Sequence, residues 1–295
     1  MTRLRLAFED WCAEVAPHVG GSILSLTRAA LPVLRPTSDE AFASGSARRT
    51  ACYPLLPYAN RIAHGRFRWQ GIEHALQENF PDSTHPLHGV GWRRAWQIVT
   101  ADSHSCELRL EHRPRNGNER DWPFAFDAEQ RISLHTSGLT INLSIVNTGA
   151  SSAPLGLGLH PLFPRRGSDR LYFTASGAWR NGADMLPAAQ VSGGLWDHSG
   201  GRPVGAQALD NDFFGWGGTA RIEAQSAPAI RITASGIFSV LRVFTPPGQE
   251  FFAVEPVSHI TDGINRSSES TAVMLSAQPG ECLAGTVCID AESPL

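Results

Sequence analysis

Four segments of this 295-residue chain carry imidazole, guanidinium or carboxylate groups beside glycine or proline, where an ordinary turn needs no such groups. The candidate residues in them are Asn60, Arg61, His88, His160 and Glu255. Glu255 is the strongest of these, because it follows the apolar residues 251–254 and a buried acid is unfavourable unless it is paired or has a task. A carboxylate and an imidazole together can act as general base and general acid.

The neighbouring residues constrain the backbone around these candidates. Two prolines stiffen the approach to Asn60 and Arg61, and the planar guanidinium suits a cluster of sugar hydroxyls. Two nearby glycines permit tight turns around His88, and the proline after His160 favours an extended backbone there. Each residue also has a structural explanation, since arginines often lie along apolar surfaces and single histidines are often hydrogen-bonded core residues.

Metal binding is an alternative use of the same side chains. The possible ligands of a site of the cupin kind are His85, His88, His160, His259 and Glu255. A His-x-x-His spacing is frequent by chance, however, and the short carboxylate-bearing metal motif that usually accompanies it is missing. We therefore expect no metal site.

Much of the remaining chain alternates between apolar and polar residues with a period of two. In residues 106–112, for example, Cys106, Leu108 and Leu110 fall on one face and charged groups on the other. This pattern predicts strands with one buried and one solvated face. The predicted strands cover residues 106–112, 131–136, 139–145, 229–234, 239–245 and 271–276, and residues 65–72 predict a hairpin arm with its turn.

Helical periodicity is scarce, with only a weak pattern over residues 8–15. Many short strands separated by turns predict an all-β fold, a large antiparallel β-sandwich with few short helices. No internal repeat or linker marks a boundary, so residues 1–295 are predicted to form one domain. Residues 192–205, which contain several glycines, are predicted to form a long surface loop.

The composition argues against several classes of partner. The net charge is −3, and no basic block indicates nucleic-acid binding. Acidic residues interrupt the N-terminal pattern of a signal peptide, and no apolar run approaches the ~20 residues that cross a bilayer. Five widely spread cysteines are typical of reduced thiols. We expect a cytoplasmic protein with neither a nucleic-acid nor a membrane partner.

Five segments resemble, in order, those of the aldose 1-epimerase (galactose mutarotase-like) family. Four of them are PLLPYANRI (54–62), LHGVGWRRAW (87–96), GLGLHPLFP (156–164) and AVEPVSHITDGIN (253–265). The fifth, residues 209–216, resembles the Asp-His-x-Phe segment of that family. The resemblance covers most of the chain and implies a β-supersandwich. It also implies acid–base interconversion of the α and β anomers of a free aldose, with no metal or other cofactor required.

The family's catalytic roles fall on three residues of this chain. The resemblance implies Glu255 as general base at the anomeric hydroxyl, His160 as general acid at the ring oxygen, and His88 beside that oxygen. Near neutral pH a glutamate of ordinary pKa is ready as a base. A nearby carboxylate is expected to raise the pKa of His160 enough to keep it charged.

The family's sugar-binding roles fall on Asn60, Arg61 and Asp210. Asn211 stands where the family has a histidine, and Asp212 competes with Asp210 for the role of binding sugar hydroxyls. Leu162 stands where the family commonly has an aromatic residue after His-Pro. Both departures lie in the sugar-binding surface, so they concern which sugar is bound.

Aromatic side chains are further candidates for contact with a sugar face, namely Trp92, Phe213 and Trp216. Sugar specificity is expected to depend on loops within residues 179–205. The expected partner is a small-molecule monosaccharide. An exposed strand edge can pair two subunits, but many proteins cover such edges, so the sequence is compatible with both a monomer and a homodimer.

Three other functions remain open from the sequence. A mutarotase for a hexose 6-phosphate or another anionic sugar needs extra arginines, and residues 93–94 and 165–166 are arginine pairs. A catalytically silent carbohydrate-binding protein has no need of a matched acid and base. A glycoside hydrolase could use Asp210 and Glu255 as its two carboxylates, but it leaves the two histidines without a role.

Overall fold

The computed structural model describes residues 2–81, 83–115, 117–225, 227–266 and 273–292, and strands predominate among them. In chain order the strands are β1 (Leu4–Phe8), β2 (Trp11–Ala16), β3 (Ser22–Arg28), β4 (Leu31–Pro32), β5 (Pro54–Leu55), β6 (Arg66–Trp69), β7 (Ile72–Ala75), β8 (Gln97–Ala101), β9 (Ser105–His112), β10 (Phe126–His135), β11 (Gly138–Asn147), β12 (Ala153–Leu155), β13 (Gly158–Leu159), β14 (Leu162–Pro164), β15 (Arg170–Phe173), β16 (Gly177–Asn181), β17 (Pro187–Val191), β18 (Arg202–Pro203), β19 (Asp210–Phe214), β20 (Thr219–Ala224), β21 (Ala227–Gly236), β22 (Val240–Phe244), β23 (Phe251–Val257), β24 (Leu275–Ala277) and β25 (Cys282–Ala291). The helical elements of the described ranges are α1 (Asp39–Ala43) and the 3-10 turns Ala47–Arg49, Ala63–Gly65, Gly91–Arg93, Asn118–Arg120, Gly194–Trp196 and Gly263–Asn265.

Two large antiparallel sheets form the body of the fold. One has nine strands in the order β18-β15-β20-β21-β25-β11-β10-β9-β8. The other has eight, in the order β17-β16-β19-β22-β23-β13-β5, with β14 also pairing with β23. Strands β1 to β4 form a smaller sheet that contacts β10, and β6–β7 and β12–β24 are two-stranded pairs.

The register of the nine-stranded sheet explains its buried face. Cys106, Ile132, Ile141 and Val287 lie in one row across β9, β10, β11 and β25. All four are buried, because successive side chains of a strand alternate between the two faces and the register aligns the apolar ones. Each buried isoleucine or valine stabilises the fold by roughly 1.5–3 kcal/mol.

The eight-stranded sheet covers this face and completes the core. Phe213 of β19 meets Phe173 of β15 with ring centroids 4.8 Å apart and ring planes at 78°. Edge-to-face pairs of this kind are favourable beyond the area that they bury. Leu241 and Val243 of β22 belong to the same apolar cluster as Ile132. The predicted all-β antiparallel sandwich is therefore confirmed.

Most of the predicted strands are present, and the exceptions are informative. Residues 106–112, 139–145 and 229–234 fall in β9, β11 and β21, residues 131–136 and 239–245 extend beyond β10 and β22 by no more than one residue at each end, and residues 65–72 overlap the β6–β7 hairpin. The weak prediction of a helix over residues 8–15 was wrong, because β2 pairs with both β1 and β3 there. Of the predicted strand 271–276, residues 271 and 272 lie outside the described residues. Residues 192–205 contain a 3-10 turn and strand β18 as well as loop.

Within the described ranges, no helix combines the length and apolar character that crossing a membrane requires.

Candidate active site

A cleft of about 340 Å³ opens on the eight-stranded sheet, on the face that points away from the shared core. Alternation along β22 creates this face, since Leu241 is in the core whereas Arg242 and Phe244 line the cleft. The polar residues predicted from the sequence that line the cleft are Asn60, Arg61, His88, His160, Asp210 and Glu255. The fold thus brings six candidates from distant parts of the chain into one cavity.

The backbone at His88 is held in an uncommon conformation. His88 and Asn60 both have left-handed φ values, of 61° and 59°. They stabilise each other, because the His88 N–H donates to the Asn60 carbonyl at 2.9 Å and the Asn60 N–H donates to His88 Nδ1 at 3.0 Å. A Cβ on the next residue, Gly89, would lie 2.3 Å from the Leu56 carbonyl oxygen. Strained backbone of this kind is concentrated at functional sites.

These contacts set the role that His88 can take. Burial, assisted by the charges of His160 and Arg242, lowers the pKa of His88 well below its usual value. Because Nδ1 accepts from the backbone, the hydrogen-bond geometry assigns the hydrogen of the neutral ring to Nε2. His88 is therefore suited to donate a hydrogen bond in the cleft and poorly suited to carry a positive charge there.

His160 and Glu255 form a buried acid–base pair. His160 lies in the short break between β13 and β14, and Glu255 lies on β23. The distance between His160 Nε2 and Glu255 Oε1 is 3.4 Å. The ring of Tyr53 stacks on His160 with centroids 4.7 Å apart, and the His160 N–H donates to the Tyr53 carbonyl at 3.0 Å. Tyr53 thus fixes both the backbone and the ring of His160.

Glu255 is buried without the partners that a structural carboxyl would have. It is 1 % exposed, and Oε2 has no hydrogen-bond partner among the described residues. Burial raises the pKa of Glu255 well above its usual value, against the opposing attraction of Arg242. Buried polar atoms are normally satisfied, and this carboxyl lines the cleft, so Glu255 is a candidate to bond a ligand there.

The electrostatics of His160 differ from the expectation. Burial lowers the pKa of His160 to about 3, and the charge of Arg242 acts in the same direction. The predicted upward shift was wrong, because desolvation of a fully buried imidazole outweighs the attraction of nearby carboxylates. Burial therefore shifts the two groups of the pair in opposite directions, so that a proton shared between them is favoured on the Glu255 carboxyl over the imidazole.

Arg242 is the centre of an ionic network next to this pair. Its Nη1 donates to Asp212 Oδ1 at 2.7 Å and to Thr261 Oγ1 at 2.9 Å. Its Nη2 donates to the Asp210 carbonyl at 3.0 Å and also pairs with the Asp210 carboxylate. The sheet register requires this proximity, because Asp212, Arg242 and Glu255 are aligned in one row across β19, β22 and β23.

The two aspartates of β19 differ in their access to the cleft. Asp212 is 1 % exposed, and both of its oxygens are occupied, since Oδ2 accepts from the Thr261 N–H at 2.7 Å. Asp210 lines the cleft, and its Oδ2 lies 3.5 Å from Arg61 Nη1. Asn60 holds Arg61 in turn, its Oδ1 accepting from Arg61 Nη1 at 3.0 Å. Asp210 is thus the aspartate within reach of a ligand.

Comparison with known proteins shows the family of the chain. Residues 6–290 match the family model described as Aldose 1-epimerase. The chain belongs to the aldose 1-epimerase family. The uncharacterized protein YphB of Escherichia coli K12 is 33% identical over 282 residues, which cover 89% of each chain. A solved structure from the same organism, provisionally described as an aldose 1-epimerase, is 31% identical with a TM-score of 0.89 over 99% of both chains.

The fold extends to more distant proteins. A galactose mutarotase-like protein of Clostridium acetobutylicum is 20% identical, and its TM-score is 0.88 over 99% of this chain and 95% of that one. The resemblance seen in the sequence segments is therefore confirmed at the level of family and fold.

Two departures from the aldose 1-epimerase pattern have structural explanations. Asn211, in place of the family's histidine, points away from the cleft and donates to the Trp179 carbonyl at 2.8 Å. Leu162 lines the cleft, where it forms an apolar wall with aromatic rings that the sequence did not single out. Those rings belong to Phe80, Phe244 and Phe251.

The three aromatic residues predicted to stack on a sugar do not line the cleft. The Trp92 indole is buried and donates to the Leu87 carbonyl at 3.3 Å. Trp216 donates to the Thr219 carbonyl at 2.9 Å inside the core, where Phe213 also packs. The prediction for these three rings is corrected, because their faces are covered by protein. Residues 179–205, predicted to govern specificity, line no part of the cleft.

The remaining histidine and arginine candidates are structural. His85 Nδ1 accepts from the His64 N–H at 2.9 Å, and His259 Nε2 accepts from the Ala59 N–H at 3.1 Å. In the part of the chain that the structure describes, no three His, Cys, Asp or Glu side chains are grouped to hold a metal ion. The arginine pairs 93–94 and 165–166 do not line the cleft.

Besides these phenylalanine rings, three residues of the site were not predicted from the sequence. Arg242 had a readable signal, since it is the single charge within the apolar strand Val240–Phe244. Tyr53, which orients His160, and Arg48, which lines the cleft, had no signal that separates them from ordinary surface or core residues.

Proposed function

We propose that the protein is a mutarotase that interconverts the α and β anomers of a free aldose by opening and closing the pyranose ring. Glu255 serves as general base at the C1 hydroxyl and His160 as general acid at the ring oxygen. His88 Nε2–H and the Arg61 guanidinium polarise that oxygen, and Asp210 accepts hydrogen bonds from sugar hydroxyls. Membership of the aldose 1-epimerase family and the chemistry of the cleft support this proposal.

Ring opening moves one proton at each end of the acetal. The C1 hydroxyl gives its proton to the Glu255 carboxylate while the ring oxygen takes one from the His160 imidazolium, so the bond between C1 and the ring oxygen breaks and C1 becomes the aldehyde carbon. After rotation about C1–C2 the C5 hydroxyl attacks the other face, with His160 accepting and Glu255 donating. Each well-placed acid or base contributes ~10²–10⁴-fold.

The two protonation forms of the pair differ in how well burial tolerates them. Ring opening converts ionised Glu255 and charged His160 into protonated Glu255 and neutral His160, and ring closure reverses the change. Burial raises the pKa of Glu255 and lowers that of His160, so it favours the second of these forms. The charged pair that begins ring opening is therefore the less favoured and more reactive form.

The observation that carries the proposal is the 3.4 Å approach of His160 to the unsatisfied, buried Glu255 in the cleft. Polarimetry of freshly dissolved α-glucose and α-galactose, with the uncatalysed rate subtracted, tests it directly. Wild type should accelerate equilibration and His160→Ala should lose ~10²-fold or more. His135→Ala, on the other sheet, is the control with wild-type activity expected. Sugar binding without acceleration of any sugar would instead identify a silent carbohydrate-binding protein.

An anionic sugar is the second candidate substrate, and Arg48 is the observation that favours it. Its guanidinium carbon lies 3.9 Å from the centroid of the Phe80 ring in the cleft, and it forms no ion pair with a described residue. The other arginines of the cleft, Arg61 and Arg242, are paired with aspartates. A free guanidinium binds phosphate, sulfonate or carboxylate groups well.

Comparing glucose with glucose 6-phosphate, in wild type and in Arg48→Gln, decides between the two substrates. If the anion is the natural substituent, Arg48→Gln should lower kcat/KM for the phosphate on the order of tenfold and for glucose much less, since one charge-assisted contact is lost. Equal losses, or a wild type that prefers glucose, would favour the neutral aldose.

A further inference from the structure

The charges around Glu255 come from several parts of the fold. The charged or titratable groups that face it or its partner His160 are Arg242 of β22, Asp210 and Asp212 of β19, Arg61 after β5, Cys52 and Tyr53 before β5, His88 before β8, and Arg35 and Arg48 between β4 and β5. Burial raises the pKa of the Cys52 thiol and of the Tyr53 hydroxyl, so both are neutral in the working range. The remaining groups determine the charge of the site.

The protonation of the pair sets the net charge of this cluster. Beside Glu255 the two cations, Arg61 and Arg242, are matched by the two anions, Asp210 and Asp212, and on the side of His160 the guanidinium groups of Arg35 and Arg48 add positive charge. The pair of His160 and Glu255 adds no net charge when it holds one proton, adds a positive charge with two and a negative charge with none. Because an uncompensated buried charge is unfavourable, the positive charge of these arginines opposes a second proton on the pair.

Arg242 also has a geometric role that its charge alone does not explain. One nitrogen of its fork bonds Asp212 and Thr261, while the other holds both the carbonyl and the carboxylate of Asp210. Asp212 is in turn fixed by the Thr261 N–H. The planar guanidinium therefore ties Asp210, the aspartate that lines the cleft, to a rigid buried anchor, which a single ammonium group cannot reproduce.

Resting on the mutarotase function proposed above, we propose that Arg242 is a positioning residue with two separable effects. Its fork holds Asp210 in place for the sugar hydroxyls. Its charge opposes protonation of the pair of His160 and Glu255 and so sets the pH range in which the pair is active.

The two effects can be separated by substitutions at one position. Arg242→Gln removes both, so KM should rise about tenfold for the loss of one oriented hydrogen bond to the sugar. Both limbs of the pH–kcat profile should also move to higher pH on the order of one unit, because a nearby positive charge that resists protonation is gone. Arg242→Lys keeps the charge without the fork, and should restore the profile while KM stays high.

A double variant protects the test against loss of folding. Arg242→Gln with Asp212→Asn removes one cation and one anion together, so the buried charge stays balanced. We expect its pH profile to resemble that of wild type and its KM to stay raised, since Asp210 has lost its anchor. Arg109→Gln, which breaks an arginine–aspartate contact of 2.8 Å on the other sheet, is the control expected to leave both quantities unchanged.

The measurement is the initial rate of anomer equilibration against pH and sugar concentration for all five proteins. An unshifted profile in folded Arg242→Gln, or an unrestored one in folded Arg242→Lys, overturns the charge effect. A wild-type KM in the double variant overturns the positioning effect. Absence of activity in wild type itself would refute the proposed function and is distinguishable from either result.

Discussion

Replacing Glu255 with glutamine should slow anomer equilibration by about 10²–10⁴-fold and leave the fold at least as stable as wild type. The loss in rate corresponds to roughly 3–5 kcal/mol in the barrier. The stability prediction follows from the contacts, since Oε2 has no hydrogen-bond partner among the described residues and Oε1 faces His160 at 3.4 Å. Glutamine keeps the size of the side chain, cannot ionise, and carries an NH2 group in place of one carboxyl oxygen.

The difference in stability should depend on pH with a definite sign. Burial raises the pKa of Glu255, so the folded protein keeps a proton that the unfolded chain releases above its pKa of ~4.3. The contribution of Glu255 to stability is therefore complete below that value and is lost as pH rises towards the folded pKa. Glutamine does not titrate, so the variant should gain on wild type as pH increases.

Thermal unfolding at about pH 5 and about pH 8, together with polarimetry, measures both effects. Asp212→Asn is the matched control, because Asp212 is equally buried but accepts from Arg242 and from the Thr261 N–H. Breaking this satisfied pair should destabilise the fold by roughly 3–5 kcal/mol. A Glu255→Gln protein with activity within tenfold of wild type, or one as unstable as Asp212→Asn, would refute the reasoning.

Three further predictions concern the surroundings of the site. Trp216→Phe should lower the free energy of unfolding by about 1 kcal/mol, because the hydrogen bond to the Thr219 carbonyl is lost. KM should not change, and a raised KM would show that the Trp216 ring contacts the sugar after all. Gly89→Ala should destabilise the fold by about 2–3 kcal/mol, measured by denaturant unfolding, because its Cβ would meet the Leu56 carbonyl at a φ of +66°. The pKa of His160 is lowered to about 3, so wild type should lose stability as pH falls from ~6.5 towards 3, and His160→Gln should lose less over the same titration.

The sandwich was predictable because its strands obey a strict period of two. Residues 106–112 and 139–145 show the alternation that their register in β9 and β11 requires. The same simplicity explains the error at residues 8–15, where a run of mixed apolar and acidic residues fits a short helix as well as a strand. Pairing of β2 with β1 and β3 decides the conformation there, and pairing is not a local property of the sequence.

The catalytic candidates were predictable where local chemistry is unusual for its place in a strand or turn. Glu255 after an apolar run and His88 beside glycines are of this kind. The error in the pKa of His160 came from a quantity that sequence does not contain, namely how completely the ring is desolvated. The prediction that Trp92 and Trp216 contact the sugar was wrong for a related reason, because an indole next to a motif packs into the core as readily as it faces a ligand.

The contrast between Asp212 and Glu255 gives the strongest argument that the cleft is built for chemistry. Both carboxyls are 1 % exposed, and they flank Arg242 in the same row of the sheet. Asp212 has both oxygens occupied, whereas Glu255 leaves Oε2 without a partner among the described residues. An unsatisfied buried acceptor destabilises the fold by about 1–3 kcal/mol, and a hydroxyl that entered the cleft and bonded to Glu255 would recover that energy on binding. The free energy that the unsatisfied Glu255 takes from the stability of the fold is thus available to bind the hydroxyl whose proton the reaction removes.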